Sequence, residues 1–148
     1  MKRLHSILLV EDNPADVTIA QRAIREGNLP IDLIPVRDGQ EALDYLQQQG
    51  AWAERRDWRC PELILLDINL PLLGGRELLE RLRDLPRFRT IPVVVLTTSR
   101  HQEDVVQMYA SGANTYIEKP ANFQSFVQTL KLIHQYWLDL AILPPISE

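Results

Sequence analysis

The sequence predicts an α/β fold of the doubly wound kind, a (βα)5 chain whose five-stranded parallel sheet, in order 2-1-3-4-5, carries helices on both faces. Short β-rich apolar runs alternate with helically spaced segments from one end to the other, which is the signature of stacked βαβ units. Runs such as ILLV at residues 7–10 and LILL at 63–66 are apolar at consecutive positions, as strands covered on both faces require. Most of these runs then stop at a polar or charged residue, on the sheet edge where open parallel sheets hold their ligands.

Each element follows from local chemistry. The first strand drives through Ile7-Leu8-Leu9-Val10 into Glu11 and Asp12. Asn13-Pro14 supplies an N-cap and a proline at the first helical position, Val17, Ala20, Ala23 and Ile24 follow at helical spacing, and Gly27 ends the helix. Ile31–Val36 reads as the second strand. Pro35 within it cannot donate to a ladder, which points to a sheet edge. Arg37-Asp38-Gly39 turns into a helix bearing Ala42, Leu43 and Leu46. Residues 50–61, GAWAERRDWRCP, exceed a minimal connection and read as a surface excursion. Leu63–Leu66 is the third strand, ending at Asp67, and Gly74-Gly75 precedes a helix with Leu78, Leu79 and Leu82 on its buried side. Pro92–Leu96 is the fourth strand, ending in Thr97-Thr98-Ser99, and a helix through Val105, Val106 and Tyr109 stops at Gly112. Thr115–Ile117 is a short fifth strand ending at Glu118-Lys119-Pro120, and Asn122 opens a last helix reaching about Leu140.

The bulk properties narrow the function. At 148 residues the chain has the size of one domain spanning 1–148, with no second folded module expected. A net charge of -4 lacks the basic footprint of a nucleic-acid binder. One cysteine, Cys60, excludes an intrachain disulfide framework and suits a reducing cytosol. No apolar run approaches the roughly 18 residues of a membrane span, so a cytoplasmic protein is expected.

In the order 2-1-3-4-5 the ligand crevice lies between the first and third strands. Glu11, Asp12, Asp67, Thr97 and Lys119 then meet in one shallow pocket. Three carboxylates there repel one another and call for a cation, and Mg²⁺, a hard ion that binds few carboxylates and completes its shell with phosphate oxygens, is the natural one. Each residue taken alone has a plainer role. Asp12 or Asn13 can cap the first helix, Thr97 suits a strand, and Lys119 can be a solvated loop lysine. Their joint placement argues for a built site.

The motifs LLVEDN, LILLDINLP with Gly74-Gly75 beyond it, VVVLTTS and YIEKP, in that order, resemble the response-regulator receiver domains of two-component signalling, over residues 5 to about 135. The resemblance implies the flavodoxin-like fold and a phosphoryl group accepted on Asp67 from a phosphohistidine of a sensor histidine kinase. It implies Mg²⁺ (replaceable by Mn²⁺ or Ca²⁺) bound by Asp12, Asp67, the Asn69 backbone carbonyl and, through water, Glu11. Thr97 would hydrogen-bond the phosphoryl group and Lys119 would pair with it, aimed inward by a cis Lys119-Pro120 peptide. Tyr116 matches the family's switch aromatic, which turns inward on phosphorylation and remodels the surface of the fourth helix, fifth strand and fifth helix; a partly buried tyrosine that never moves is the plainer alternative. Thr98, bulkier than the residue often found there, would narrow the access of attacking water. The LLDINLP and VVVLTTS motifs, the long excursion and the ending IHQYWLDLAILP look most like stand-alone regulators paired with phytochrome-type kinases.

The last helix carries a core stripe at Phe123, Phe126, Leu130, Ile133 and Trp137, with Leu132 and Tyr136 nearly opposite it. This two-sided apolarity, extended by Leu140, Ile142 and Leu143, favours a homodimer through residues 122–148, with Leu132, Tyr136, Trp137, Leu140 and Leu143 as candidate contacts. The alternative is a tail folded back on its own subunit. Against a Mg²⁺-dependent phosphohydrolase with an aspartate nucleophile stands Asn69, which occupies the position where such enzymes place an acid. A receiver-like module that is never phosphorylated would not need the full set of five polar residues.

Overall fold

The chain alternates strand and helix five times: β1 (His5–Val10), α1 (Pro14–Glu26), β2 (Ile31–Val36), α2 (Gly39–Leu46), β3 (Leu63–Leu66), α3 (Gly75–Asp84), β4 (Val93–Thr97), α4 (Gln102–Ala110), β5 (Thr115–Glu118) and α5 (Phe123–His134). This computed structural model describes residues 3–145. The strands pair in parallel in the order β2-β1-β3-β4-β5.

Alternation along each strand divides the core in two. Leu8, Val10, Ile64, Leu66, Val93 and Val95 face α2, α3 and α4, where Leu46, Leu78, Leu79 and Leu82 are fully buried. Ile7, Leu9, Leu63, Leu65, Val94 and Leu96 face α1 and α5, against Ala20, Ala23, Phe126, Leu130 and Ile133. Because both faces are covered, consecutive positions must all be apolar, which accounts for the unbroken runs in the sequence. β2 lies at the edge as Pro35 requires. Val36 turns its carbonyl inward to the Glu11 N–H at 2.9 Å, so by alternation the position before it faces the open edge, where no donor is needed.

Two segments carry detail beyond the sequence reading. In α4 the buried side chain is Met108, whereas Val106 and Tyr109 are exposed. The last helix ends as α-helix at His134 and continues as a wider π-helical turn over Gln135–Leu140, with Ala141 N–H donating to the Tyr136 carbonyl at 2.8 Å. The wider turn brings Leu138 as well as Trp137 against the core below Ile133. Leu132, Tyr136, Leu140 and Ile142 stay exposed, while Leu143 lines a shallow cavity with Pro61, Glu62, Ile91 and Pro92. Leu143 thus lies against its own subunit, and Trp137 is half-buried in its own chain.

The excursion is stapled as well as exposed. Trp52 and Trp58 pack on Tyr45, with ring centroids 4.7 and 5.8 Å away. The Tyr45 hydroxyl donates to the Arg59 carbonyl at 2.7 Å, and Trp58 Nε1 donates to the Tyr45 carbonyl at 2.7 Å. A second clasp joins α3 to the turn before β5. Arg83 donates to the carbonyls of Gly112, Arg89 and Ile91 and to Asn114 Oδ1. Gly112 sits at φ 113°, where a side chain would also collide with Arg83.

Burial raises the Tyr45 pKa above its ordinary 10.0. The native state therefore holds this proton more tightly than the unfolded chain does, and its contribution is whole below pH 10.0 and lost as pH rises through the folded value. Tyr45→Phe should lower stability by about 1 kcal/mol in urea unfolding at neutral pH. The gap to wild type should narrow above pH 10.0, and a gap unchanged into that range would refute this reading.

Candidate functional site

The sheet ladder runs one residue past its strands and delivers the polar side chains. Glu11 N–H donates to Val36 at 2.9 Å, Asp67 N–H to Val10 at 3.1 Å and Lys119 N–H to Thr97 at 2.7 Å. Strand pairing thereby sets the positions of residues far apart in sequence. Gly75 completes the frame, because a Cβ there would lie 2.8 Å from Ile68 Cα and 3.1 Å from the Asp67 carbonyl oxygen. Only glycine lets α3 start so close to the acid-bearing turn.

Lys119 Nζ stands at the centre. It donates to Glu11 Oε1 at 2.5 Å, to Asp67 Oδ2 at 3.1 Å and to Asp16 Oδ2 at 3.4 Å. The other oxygen of Asp67, Oδ1, accepts from the Thr97 hydroxyl at 3.2 Å and from the Asn69 backbone N–H at 3.0 Å. Thr97 is 0% exposed, Glu11 3% and Asp67 9%, so this network lies out of bulk water. Burial raises the Glu11 pKa, and the Asp67 charge adds to that while Lys119 opposes it. Burial would lower the Lys119 pKa, but the hydrogen bond to Glu11 and the charges of Asp67 and Glu11 outweigh it, leaving the ammonium above the ordinary lysine value.

The structure thus brings together Glu11, Asp67, Thr97 and Lys119, with Asn69 reaching Asp67 through its backbone. Asp12 is exposed and lines an open groove with Glu11, Arg37 and Glu41. Among the described residues no three acidic, His or Cys side chains close into a metal cage, and the cation that gathers Glu11 and Asp67 is the lysine itself. Tyr116 is half-buried against the core, and its hydroxyl donates to the Ser99 carbonyl at 2.8 Å. Thr98 is exposed and shares a cavity with Lys119 and Asp16. Asp16 was not among the residues expected from sequence. Its first-turn position in α1 makes it look like an ordinary helix-favouring acid, and only the spatial approach of Lys119 singles it out.

The Lys119-Pro120 peptide is trans, which corrects the cis bond implied by resemblance. Trans is the lower-energy isomer of an X-Pro bond by about 0.5–1 kcal/mol. The backbone hydrogen bond from Lys119 to Thr97 already fixes this residue on the sheet, and its side chain reaches both Glu11 and Asp67 with the bond trans.

A doubly wound five-stranded sheet, with acids after its first and third strands, a threonine closing the fourth and a lysine after the fifth, defines a receiver domain. The chain belongs to the response regulator receiver domain family, which matches residues 7–142. It is similar to the response regulator Rcp1 of Synechocystis sp., with 41% identity over 138 residues covering 93% of this chain and 92% of the relative. The crystal structure of the phosphorylated cyanobacterial phytochrome response regulator RcpA shares 42% identity and superposes with a TM-score of 0.86, covering 96% of this chain and 99% of that one. The Mn²⁺-bound form of Rcp1 superposes with a TM-score of 0.82 at 39% identity, covering 95% of this chain and 99% of that one. The chain is therefore a response regulator, a signalling protein homologous to phytochrome-associated regulators. No described helix is long and apolar enough to cross a membrane.

Removing the ammonium would leave buried Glu11 and Asp67 facing each other. Lys119→Met should cost about 3 kcal/mol in urea unfolding under chelator, the range for orphaning a buried charge. Adding Glu11→Gln should recover part of that loss. A single variant as stable as wild type would show that these charges are solvated rather than paired.

Proposed function

We propose that the protein accepts a phosphoryl group on Asp67 from the phosphohistidine of a sensor histidine kinase, of phytochrome type, and relays the signal by changing its α4-β5-α5 surface. The observation that carries this reading is the arrangement around Asp67, with the Thr97 hydroxyl at 3.2 Å and the Lys119 ammonium at 3.1 Å on its two oxygens. An oxygen of Asp67 forms the new P–O bond as the P–N bond breaks, and the histidine nitrogen keeps the bonding pair and takes up a proton. A carboxylate is a weak nucleophile, so the chain contributes chiefly position and charge. Lys119 and Thr97 then hydrogen-bond the phosphoryl oxygens.

A divalent ion suits the residues present. Glu11, Asp16 and Asp67 set three carboxylates against the one ammonium of Lys119, with Asp12 lining the groove beside Glu11, leaving an excess of hard anionic oxygens, and burial already disfavours the charge on Glu11. Asp12, Asp67 and the Asn69 carbonyl would hold Mg²⁺ directly and Glu11 through water, with Mn²⁺ or Ca²⁺ able to replace it. When bound, the ion neutralises charge on the transferring phosphoryl group.

Tyr116 reports the change through its bond to Ser99, because that loop follows Thr97 directly. Thr98, exposed at the mouth of the site, limits the approach of water to the phosphoryl group. A homodimer would form through α5 and the π-helical turn, where Leu132 and Tyr136 are 54% and 53% exposed beside Leu140, with Trp137 and Leu143 contributing at its margin. The protein acts in the cytoplasm and makes no direct contact with nucleic acid or membrane.

Incubation with acetyl phosphate and Mg²⁺ should add one phosphoryl mass to the wild type and none to Asp67→Asn; equal labelling of the two would refute the assignment. Thr98→Ala should lose the phosphoryl group faster than wild type, and an unchanged lifetime would remove Thr98 from the mechanism. In size-exclusion chromatography with light scattering, wild type should run as a dimer and Leu132→Glu with Tyr136→Ala as a monomer. A monomeric wild type, phosphorylated or not, would end the dimer proposal.

A further inference from the structure

The ammonium of Lys119 has three N–H groups and three carboxylate neighbours. Two of them, Glu11 and Asp67, follow strands, and the third, Asp16, comes from the first turn of α1 with Oδ2 3.4 Å from Nζ. We infer that Asp16 is a positioning residue that competes with the phosphoryl group for Lys119, so that its charge weakens the grip of the site on anions. The role rests on the phosphoacceptor reading of Asp67.

Two features set Asp16 apart from its partners. Its contact is the longest of the three, and its side chain is 37% exposed where that of Glu11 is 3% exposed. An ammonium whose three donors are all engaged must release one acceptor to take a phosphoryl oxygen. The solvated acid at the longest distance is the cheapest to release, since water replaces the lost bond at little cost. Asp16 also lies on the open side of the lysine, lining a cavity with Ile19, Thr98, Lys119, Asn122 and Phe126. Once released, it remains a negative charge beside the arriving anion. Lost competition and relieved repulsion act in the same direction when this acid is removed.

The test is binding of beryllium trifluoride, as a phosphoryl mimic, to the full chain with Mg²⁺, followed by fluorine NMR. Asp16→Asn should lower the apparent Kd about two- to fivefold, the range expected for a partly solvated ion pair. Asp16→Glu should restore the wild-type value, and the Asp16→Asn effect should vanish in a Lys119→Met background. A residue serving only the α1 N-terminus would change the melting temperature without moving the Kd, so an unchanged or weaker Kd in Asp16→Asn overturns the inference. Wild type that binds beryllium trifluoride while the Asp16 variants match it overturns the role of Asp16 alone. Wild type that binds none, under conditions where it also takes no phosphoryl group, overturns the reading of Asp67 and this role with it.

Discussion

One ammonium ties together the ends of the first, third and fifth strands. Glu11 and Asp67 are two acids drawn out of water at neighbouring positions, and burying such groups is costly without compensation. Lys119 supplies it across 108 residues of sequence to Glu11 and across 52 to Asp67. The pairing fixes the orientation of both carboxylates. It also makes the site responsive, because any species that draws the carboxylates or the lysine away must alter a network that Thr97 and Asn69 share.

The rest of the fold keeps those ends in register. Parallel pairing of apolar strands covered on both faces sets where each strand stops, and the ladder bonds from Glu11, Asp67 and Lys119 carry that register one residue further. Gly75 lets α3 begin against the Asp67 turn. The Arg83 clasp, through Gly112 and Asn114, fixes the turn that leads into β5 and hence to Lys119. The α4-β5 side is built differently. Tyr116 is tied to Ser99, and Ser99 Oγ donates to Asp104 Oδ2 at 2.5 Å, so β5, the loop after β4 and α4 share one chain of polar contacts.

Much of this was legible in the sequence because it depends on periodicity and strand termini. The apolar runs, the Asn13-Pro14 start and Pro35 each carry a local physical signal, and the structure places β2 and β3 at the expected residues. The convergence of Glu11, Asp67, Thr97 and Lys119 followed once strand order was assumed. What escaped were features decided by packing. Asp16 reads as a helix-start acid until Lys119 arrives from far along the chain, and Arg83 reads as a surface arginine until the loops fold over it. The π-helical turn answers to the shape of the core under Trp137 and Leu138, which no heptad-like spacing records. The trans Lys119-Pro120 bond is likewise unwritten in the local sequence, where an X-Pro bond admits either isomer, and resemblance alone pointed to the other one.

If Asp12 and Asp67 hold a divalent ion beside the Lys119 ammonium, as proposed, ion and lysine share the Asp67 carboxylate. Calorimetric titration of Mg²⁺ into the wild type, Asp12→Asn, Asp67→Asn and Lys119→Met decides this. One saturable site is expected, lost or strongly weakened in either aspartate variant and tightened when the competing ammonium is removed. Equal Mg²⁺ affinity in the wild type and both aspartate variants would contradict it.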